Sequence, residues 1–352
     1  MAADQHLIGY PDGFCLFESG SLLPEAWQLA SGQGPVWIFN PAIIEATDGY
    51  LLAYRVVLHD GRRQMAVCRL GRNLQVLPQS AIPLSDFLVL PAGWYPEQGR
   101  NWFADPRLIR WQGRLLVHWN SGMHKPANHQ FVQELDSETL TPIGTSRELR
   151  LVAGQAPIEK NWGLFGWGDE LYGLYSPAPL CIIRLENDDG RIWSFAKVQT
   201  HHSHLAGYIK HFGALRGGSP PVLQGGQLIA FCHSQSQTSQ GIRYHPSAVR
   251  FAGPPDFKPN AYLAQPLELP NPFADRLIQP RLNPQVAEVI YPSGAVFVKG
   301  RWLVSYGIND EHCALMTFDS FELDRHLRPA RGATRAWIGS VLRRNLPGWF
   351  AG

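Results

Sequence analysis

The sequence predicts an all-β protein: a five-bladed β-propeller with long inter-blade loops and a short C-terminal helical tail. Three observations lead there. Apolar residues at helical spacing seldom persist for three turns, and Gly or Pro interrupts most candidates. Short alternating runs rich in Val, Ile, Leu, Trp and Tyr, bounded by Gly, Asp and Asn, occur throughout. One pattern then recurs five times: small or Pro residues, an apolar run, a turn Gly, and a second apolar run.

The five copies span residues 40–55, 105–120, 161–176, 218–233 and 293–308, with turn glycines Gly49, Gly113, Gly168, Gly225 and Gly300. Each reads as a hairpin, because Gly supplies the positive φ that a tight strand connection needs. Further strand-like pairs follow at 65–77, 131–142, 181–193 and 313–324, and the fourth copy's second pair, 247–257, is the weakest. Four strands in each of five repeats match a propeller, where radial stacking protects the sheet edges. A β-sandwich with accidental internal similarity is the alternative. The repeats place the propeller at 1–324 and leave a tail at 325–352.

Composition bounds the function. The 352 residues are 45% hydrophobic and 17% charged, enough for a large core. A formal net charge of +2 argues against a nucleic-acid-binding polycation. No apolar run reaches the length of a membrane span, and residues 1–17 lack the basic start and apolar stretch of a signal peptide. Five scattered cysteines with no Cys-x-x-Cys pair suit a reducing compartment, so a cytoplasmic location is expected. The tail holds six arginines and no acids, with Trp337, Trp349 and Phe350 interleaved. It reads either as a helix docking on the propeller or a dimer partner, or as a peripheral membrane contact.

Inner strands of a propeller line a central channel, and small molecules bind at its mouth. The repeats place Asn40 and Arg55 there from blade one, Asp105 and Arg107 from blade two, and Glu159, Lys160 and Asn161 from blade three. Arg216 and His233 come from blade four, and Tyr291, Ser293, Tyr306, Asn309 and Asp310 from blade five. Cations, a carboxylate, amides and nearby aromatics suit a sugar beside a phosphate-like anion. Each residue taken singly also has a structural reading. Asp105 before Pro106 could be a turn residue, Glu159–Lys160 a solvated pair, and His233 a satisfied core histidine. Recurrence at equivalent positions raises the set above those readings. The cluster His201, His202 and His204, with His211, has no clear ligand set and reads as a substrate-shaping loop, so no metal is expected.

Several motifs resemble those of the five-bladed propellers of glycoside hydrolase family 130 and of the related glycosyltransferase family 108. They are Phe-Asn-Pro-Ala at 39–42, Ala-Asp-Pro-Arg-Leu-Ile at 104–109, Glu-Lys-Asn-Trp at 159–162, Arg-Gly-Gly-Ser-Pro-Pro at 216–221, Tyr-Pro-Ser-Gly at 291–294 and Ser-Tyr-Gly-Ile-Asn-Asp at 305–310. The resemblance implies inverting transfer or phosphorolysis of β-mannosides. It implies Asp105 as general acid, acting through a sugar hydroxyl, and Asp310 as the carboxylate holding the non-reducing-end sugar. Lys160, Arg216 and His233 would bind phosphate, with Asn40, Arg55, Arg107, Asn161 and Tyr306 around the substrate. The family's Glu before the motif Asp is Ala104 here, a departure that touches the sugar contacts. Glu159 and Glu311 are the nearest candidates for the second carboxylate of a hydrolase, so hydrolysis ranks below transfer.

The expected protein is therefore a glycoside phosphorylase with no cofactor, using phosphate as co-substrate on an oligosaccharide or glycan. A GDP-mannose-dependent β-mannosyltransferase, using a sugar nucleotide instead, and a non-catalytic glycan-binding propeller are the alternatives. Homo-oligomerisation stays open.

Overall fold

A computed structural model describes residues 12–31, 34–92, 103–122, 128–202, 205–274 and 281–330. Strand β1 (Phe14–Leu16) and the short helices α1 (Ser19–Leu22) and α2 (Glu25–Ser31) precede the first blade. Blade one holds β2 (Trp37–Ala46), β3 (Gly49–Val57) and β4 (Arg63–Leu70), followed by helix α3 (Leu84–Phe87). Blade two holds β5 (Ala104–Trp111), β6 (Arg114–Asn120), β7 (Gln130–Leu135) and β8 (Pro142–Leu151). Blade three holds β9 (Gly163–Trp167), β10 (Glu170–Pro177), β11 (Leu180–Asp188) and β12 (Ile192–His201), and helix α4 (Ala206–Phe212) leads onward. Blade four holds β13 (Val222–Gln224), β14 (Gln227–Thr238), β15 (Gly241–Ala252) and β16 (Pro259–Leu263). After β17 (Val286–Glu288), blade five holds β18 (Ile290–Val298), β19 (Arg301–Ile308) and β20 (His312–Asp319). Helix α5 (Ser320–His326) and β21 (Leu327–Pro329) follow.

All five expected hairpins are present, and all five turn glycines have positive φ. In the Gln112–Gly113 and Lys299–Gly300 turns both central residues have positive φ, the twist-matched geometry of a two-residue hairpin loop. Alternation along the strands builds the ring. Leu51 packs toward blade two with Leu115 and Val117, while its neighbour Leu52 packs toward blade five with Leu303 and Leu315. Ile109, Leu116, Leu164 and Ile183 fill the seam between blades two and three. Phe165, Ile182, Leu228 and Val249 fill the next, and Ile229, Phe231, Trp302 and Val304 the last. Each seam is thus a separate apolar core, fed by opposite faces of neighbouring sheets. Each fully buried large side chain contributes about 1.5–3 kcal/mol.

The ring closes by strand exchange. β1 pairs antiparallel with β20 as the outer strand of blade five, although blade five's other strands come from the far end of the propeller sequence. Blades two and three also join at their rims through a parallel β8–β12 pairing. At residue 325 the chain is still part of the propeller: α5 crosses that position, Leu323 and Leu327 are buried, and β21 pairs with β16. Residues 331–352, which carry most of the basic aromatic tail, lie outside the described residues.

Candidate functional site

Three inner strands carry a residue in the left-handed region at or near their start: Asn40 (φ 53°) in β2, Asp105 (φ 52°) in β5 and Asn161 (φ 62°) just before β9. Asn and Asp tolerate this conformation better than other side-chain-bearing residues. The strand pairing is interrupted at the first two, between Phe39 and Ala42 and between Ala104 and Arg107. Such bulges re-aim a side chain. The Ser293 and Ser305 hydroxyls both donate to the Pro41 carbonyl, at 2.7 and 2.5 Å, and so pin the residue after Asn40 to blade five.

Asp105 lies at the centre. Its Oδ1 accepts from Asn40 Nδ2 at 2.8 Å and stands 3.7 Å from Arg55 Nη1, with its side chain 13% exposed. Burial pushes its pKa up, but Arg55, Arg107, Lys160 and the Asn40 hydrogen bond outweigh burial and hold it below the usual carboxylate range. Asp310 is the opposite. Burial raises its pKa, the Asp105 charge adds to the rise, and Arg55, Arg63 and an Asn283 hydrogen bond (3.4 Å) only partly offset it. The pKa values of two neighbouring carboxyls are thus shifted in opposite directions.

The expected cations converge on these carboxyls. Burial lowers the Lys160 pKa, while Asp105 and Asp310 raise it and Arg55 and Arg216 lower it further. Lys160 and Arg216 make no ion pair within 4.0 Å among the described residues, and Arg216 is exposed. His233 joins through reciprocal backbone hydrogen bonds with Arg216. Burial, followed by the Arg216 charge, drives its pKa down to about 3. His233 is therefore a neutral ring, not a fourth cation.

Arg107 and Tyr306 are corrections to the expected substrate contacts. Arg107 is wholly buried. Its Nε donates to the Gly218 carbonyl (2.7 Å), Nη1 to the Asp105 carbonyl (3.0 Å) and Nη2 to the Tyr291 hydroxyl (2.5 Å). Tyr291 in turn donates to Asn161 Oδ1 at 2.8 Å. Arg107 therefore positions Asp105 and Asn161 from behind the site. Tyr306 is buried among Leu269, Ile290, Ile308 and Ala314, and its hydroxyl donates to the Pro270 carbonyl at 2.9 Å. Strand parity explains this: Ser305 and Gly307 face β2, so Tyr306 faces away.

Glu159 is also structural. Its Oε1 accepts from the Ala156 amide (2.7 Å) and the Tyr175 hydroxyl (3.3 Å), and its Oε2 from Trp162 Nε1 (3.1 Å). With both oxygens engaged and the residue buried, it anchors the Lys160–Asn161 loop. Glu311 pairs with Arg281 at 3.6 Å, both under 10% exposed. His201 Nε2 bonds to the Asp256 carbonyl at 2.6 Å, and residues 203–204 lie outside the described residues. Among the described residues no group of three or more His, Cys, Asp or Glu could hold a metal ion.

Tyr244 and Arg63 escaped the sequence reading. The Tyr244 ring stacks on His233 at 5.1 Å and 6°, and its pKa is pushed to about 12 by burial, then by the Asp310 and Asp105 charges. The Arg63 pKa falls to about 10 through burial and the neighbouring Arg55 charge. Tyr244 sits in blade four, the copy with the faintest pattern. Arg63 begins β4, a position carrying no repeat signal.

No protein-family model matches the chain, and no curated protein matches it. Solved structures do. The chain resembles a β-1,2-mannobiose phosphorylase from Listeria innocua with TM-score 0.59 and 14% identity, over 89% of this chain and 98% of that one. A glycosyl hydrolase from Bacteroides ovatus matches with TM-score 0.54 and 14% identity, over 84% and 86%. A third match comes from work describing glycoside hydrolases, within the family 130 mannoside phosphorylases, that target β-1,2 mannosidic linkages in Candida mannan. Its TM-score is 0.55 with 13% identity, over 85% and 87%. At these identities the shared property is the fold. The chain is a five-bladed propeller of that shape.

Proposed function

We propose that the protein is an inverting phosphorylase of β-mannosides that uses inorganic phosphate as nucleophile. The observation that supports this is one carboxylate, Asp105, beside the charges of Arg55, Arg107 and Lys160, with Arg216 next to Lys160, and with Lys160 and Arg216 not ion-paired among the described residues. The family resemblance of the site motifs and the shared fold point the same way.

In the free protein the cations keep Asp105 ionised, which suits attraction of a substrate hydroxyl but not acid catalysis. A phosphate dianion among Arg55, Lys160 and Arg216 takes over those charges, so the Asp105 pKa rises and the carboxyl gains a proton. Phosphate oxygen then bonds to the anomeric carbon from one face as the glycosidic C–O bond breaks on the other. The Asp105 proton reaches the leaving oxygen through a sugar hydroxyl. The pocket also positions the nucleophile and screens its repulsion from both carboxyls. Asp310, whose pKa burial and the Asp105 charge raise, can accept from sugar hydroxyls.

Incubation with β-1,2-mannobiose and phosphate should release mannose 1-phosphate, and Asp105→Asn should abolish it. Release of GDP from GDP-mannose with an extended acceptor would move the assignment to a mannosyltransferase. Mannoside binding without either product would leave a glycan-binding propeller.

A further inference from the structure

His233 holds a fixed pattern of one donor and one acceptor. It is 2% exposed, and its Nδ1 lies 2.9 Å from the Gly217 carbonyl. A carbonyl only accepts, so Nδ1 must carry the ring's proton, and Nε2 is left with a lone pair. The ring cannot readily turn to offer another pattern. Tyr244 stacks on one face at 5.1 Å, and Tyr291 meets it edge-on at 4.9 Å and 80°. Protonation of Nε2 is opposed by burial and by the charges of Arg216 and Arg107. No described residue donates to Nε2. An acceptor thus stands beside the Arg216 charge, which itself neighbours Lys160.

We propose that His233 makes this pocket selective for an oxyanion that still carries a proton, such as monohydrogen phosphate or arsenate, over a fully ionised one such as sulfate. The inference rests on the phosphorylase reading and narrows it. The phosphate hydroxyl donates to Nε2, while the unprotonated oxygens face Arg55, Lys160 and Arg216. One of those oxygens is then free to attack. Sulfate has the same shape and the same charge at about pH 8, but turns an oxygen lone pair toward the Nε2 lone pair. The selectivity comes from that one mismatch.

The test measures binding of phosphate, arsenate and sulfate to the full chain at about pH 8 and constant ionic strength, by thermal shift and titration calorimetry. Phosphate and arsenate should bind with similar affinity and sulfate about tenfold or more weakly, the cost of one mispaired buried acceptor. Sulfate should correspondingly be a poor competitive inhibitor of phosphorolysis. In His233→Gln the side-chain amide can turn either its NH₂ or its oxygen to the anion, so the phosphate-to-sulfate ratio should fall to about twofold or less. The wild-type ratio is decisive even if that variant fails to fold. Equal binding of sulfate and phosphate by the wild type would overturn the selectivity and leave the phosphorylase reading standing. No binding of any of the three at tens of millimolar would overturn both.

Discussion

The two ends of the central channel are built from the same inner strands and could hardly differ more. At one end, near the strand starts, Asn40, Asp105 and Asn161 lie in left-handed backbone, beside Lys160 and Arg216. A few residues further along, Ile44, Leu108, Leu164, Pro221 and Ala295 line a mainly apolar cavity of about 170 Å³, each from a different blade. The difference teaches how the propeller divides its labour. Regular extended strand packs side chains against neighbouring blades, and the irregular stretch gathers polar groups beside one another. Bulges at Asn40 and Asp105 mark the change from one to the other.

Substitutions at the two ends should therefore separate chemistry from stability. The largest effect is expected for Asp105→Asn: phosphorolysis should fall by about a thousandfold, typical of a lost general acid, with little change in melting temperature. Near wild-type turnover by that variant would remove Asp105 from the mechanism. At the apolar end, Leu164→Ala should cost about 3 kcal/mol of unfolding free energy, as expected for a fully buried leucine. Its kcat and KM should stay at wild-type values under conditions where it is folded; a lost kcat would mean the two ends are coupled. Lys160→Met should raise the KM for phosphate about thirtyfold while leaving mannoside binding nearly unchanged, the scale of one charge-assisted hydrogen bond.

The smallest effect concerns buried histidines behind and beside the polar end. Burial is the main cause holding both His118 and His233 to a pKa of about 3 in the folded state. In the unfolded chain each takes up a proton near a pKa of about 6.5. The unfolded state therefore binds more protons between those values, and stability falls as pH drops from about 6.5 toward 3. Each histidine contributes a slope of about 1.4 kcal/mol per pH unit in that window. Urea titrations from about pH 7 to pH 5 should show this loss. His118→Gln should flatten the slope by about one histidine's share, and an unchanged slope would mean that His118 is already charged in the fold.

Much of this polar end was legible in the sequence because its signals are local. Gly113 and Gly300 announce two-residue turns, and Asp105 and Lys160 stand at the same offset from their turns. What stayed hidden depends on parity and on distance. Tyr306 lies one residue from Ser305 and Gly307, yet strand alternation sends it into a different core. A bulge between Pro292 and Gly294 in the paired strand obscures that parity when only the sequence is read. Arg107 looks like a ligand-binding arginine in its motif. Its role as an interior strut becomes visible only when Gly218 and Tyr291, more than a hundred residues away, are brought to its guanidinium. Tyr244 stayed hidden because nothing local distinguishes an aromatic that stacks on a buried histidine from one that fills a core.

Closure through β1 carries a consequence for how the protein is made. Phe14 pairs with Met316, so blade five has no complete sheet until the last of its strands has left the ribosome. Blades one to three can each assemble as they emerge, because their strands are consecutive, whereas blade four gains β21 only after blade five is made. During that interval the edge of β20's future partner stays unpaired, a template open to any other strand. Two late joinings thus complete the ring, β1 onto β20 and β21 onto β16 of blade four. A nascent chain stalled before residue 312 would hold β1 and the β18–β19 hairpin without the strand that joins them, open to chaperones and proteases in a way the finished molecule is not.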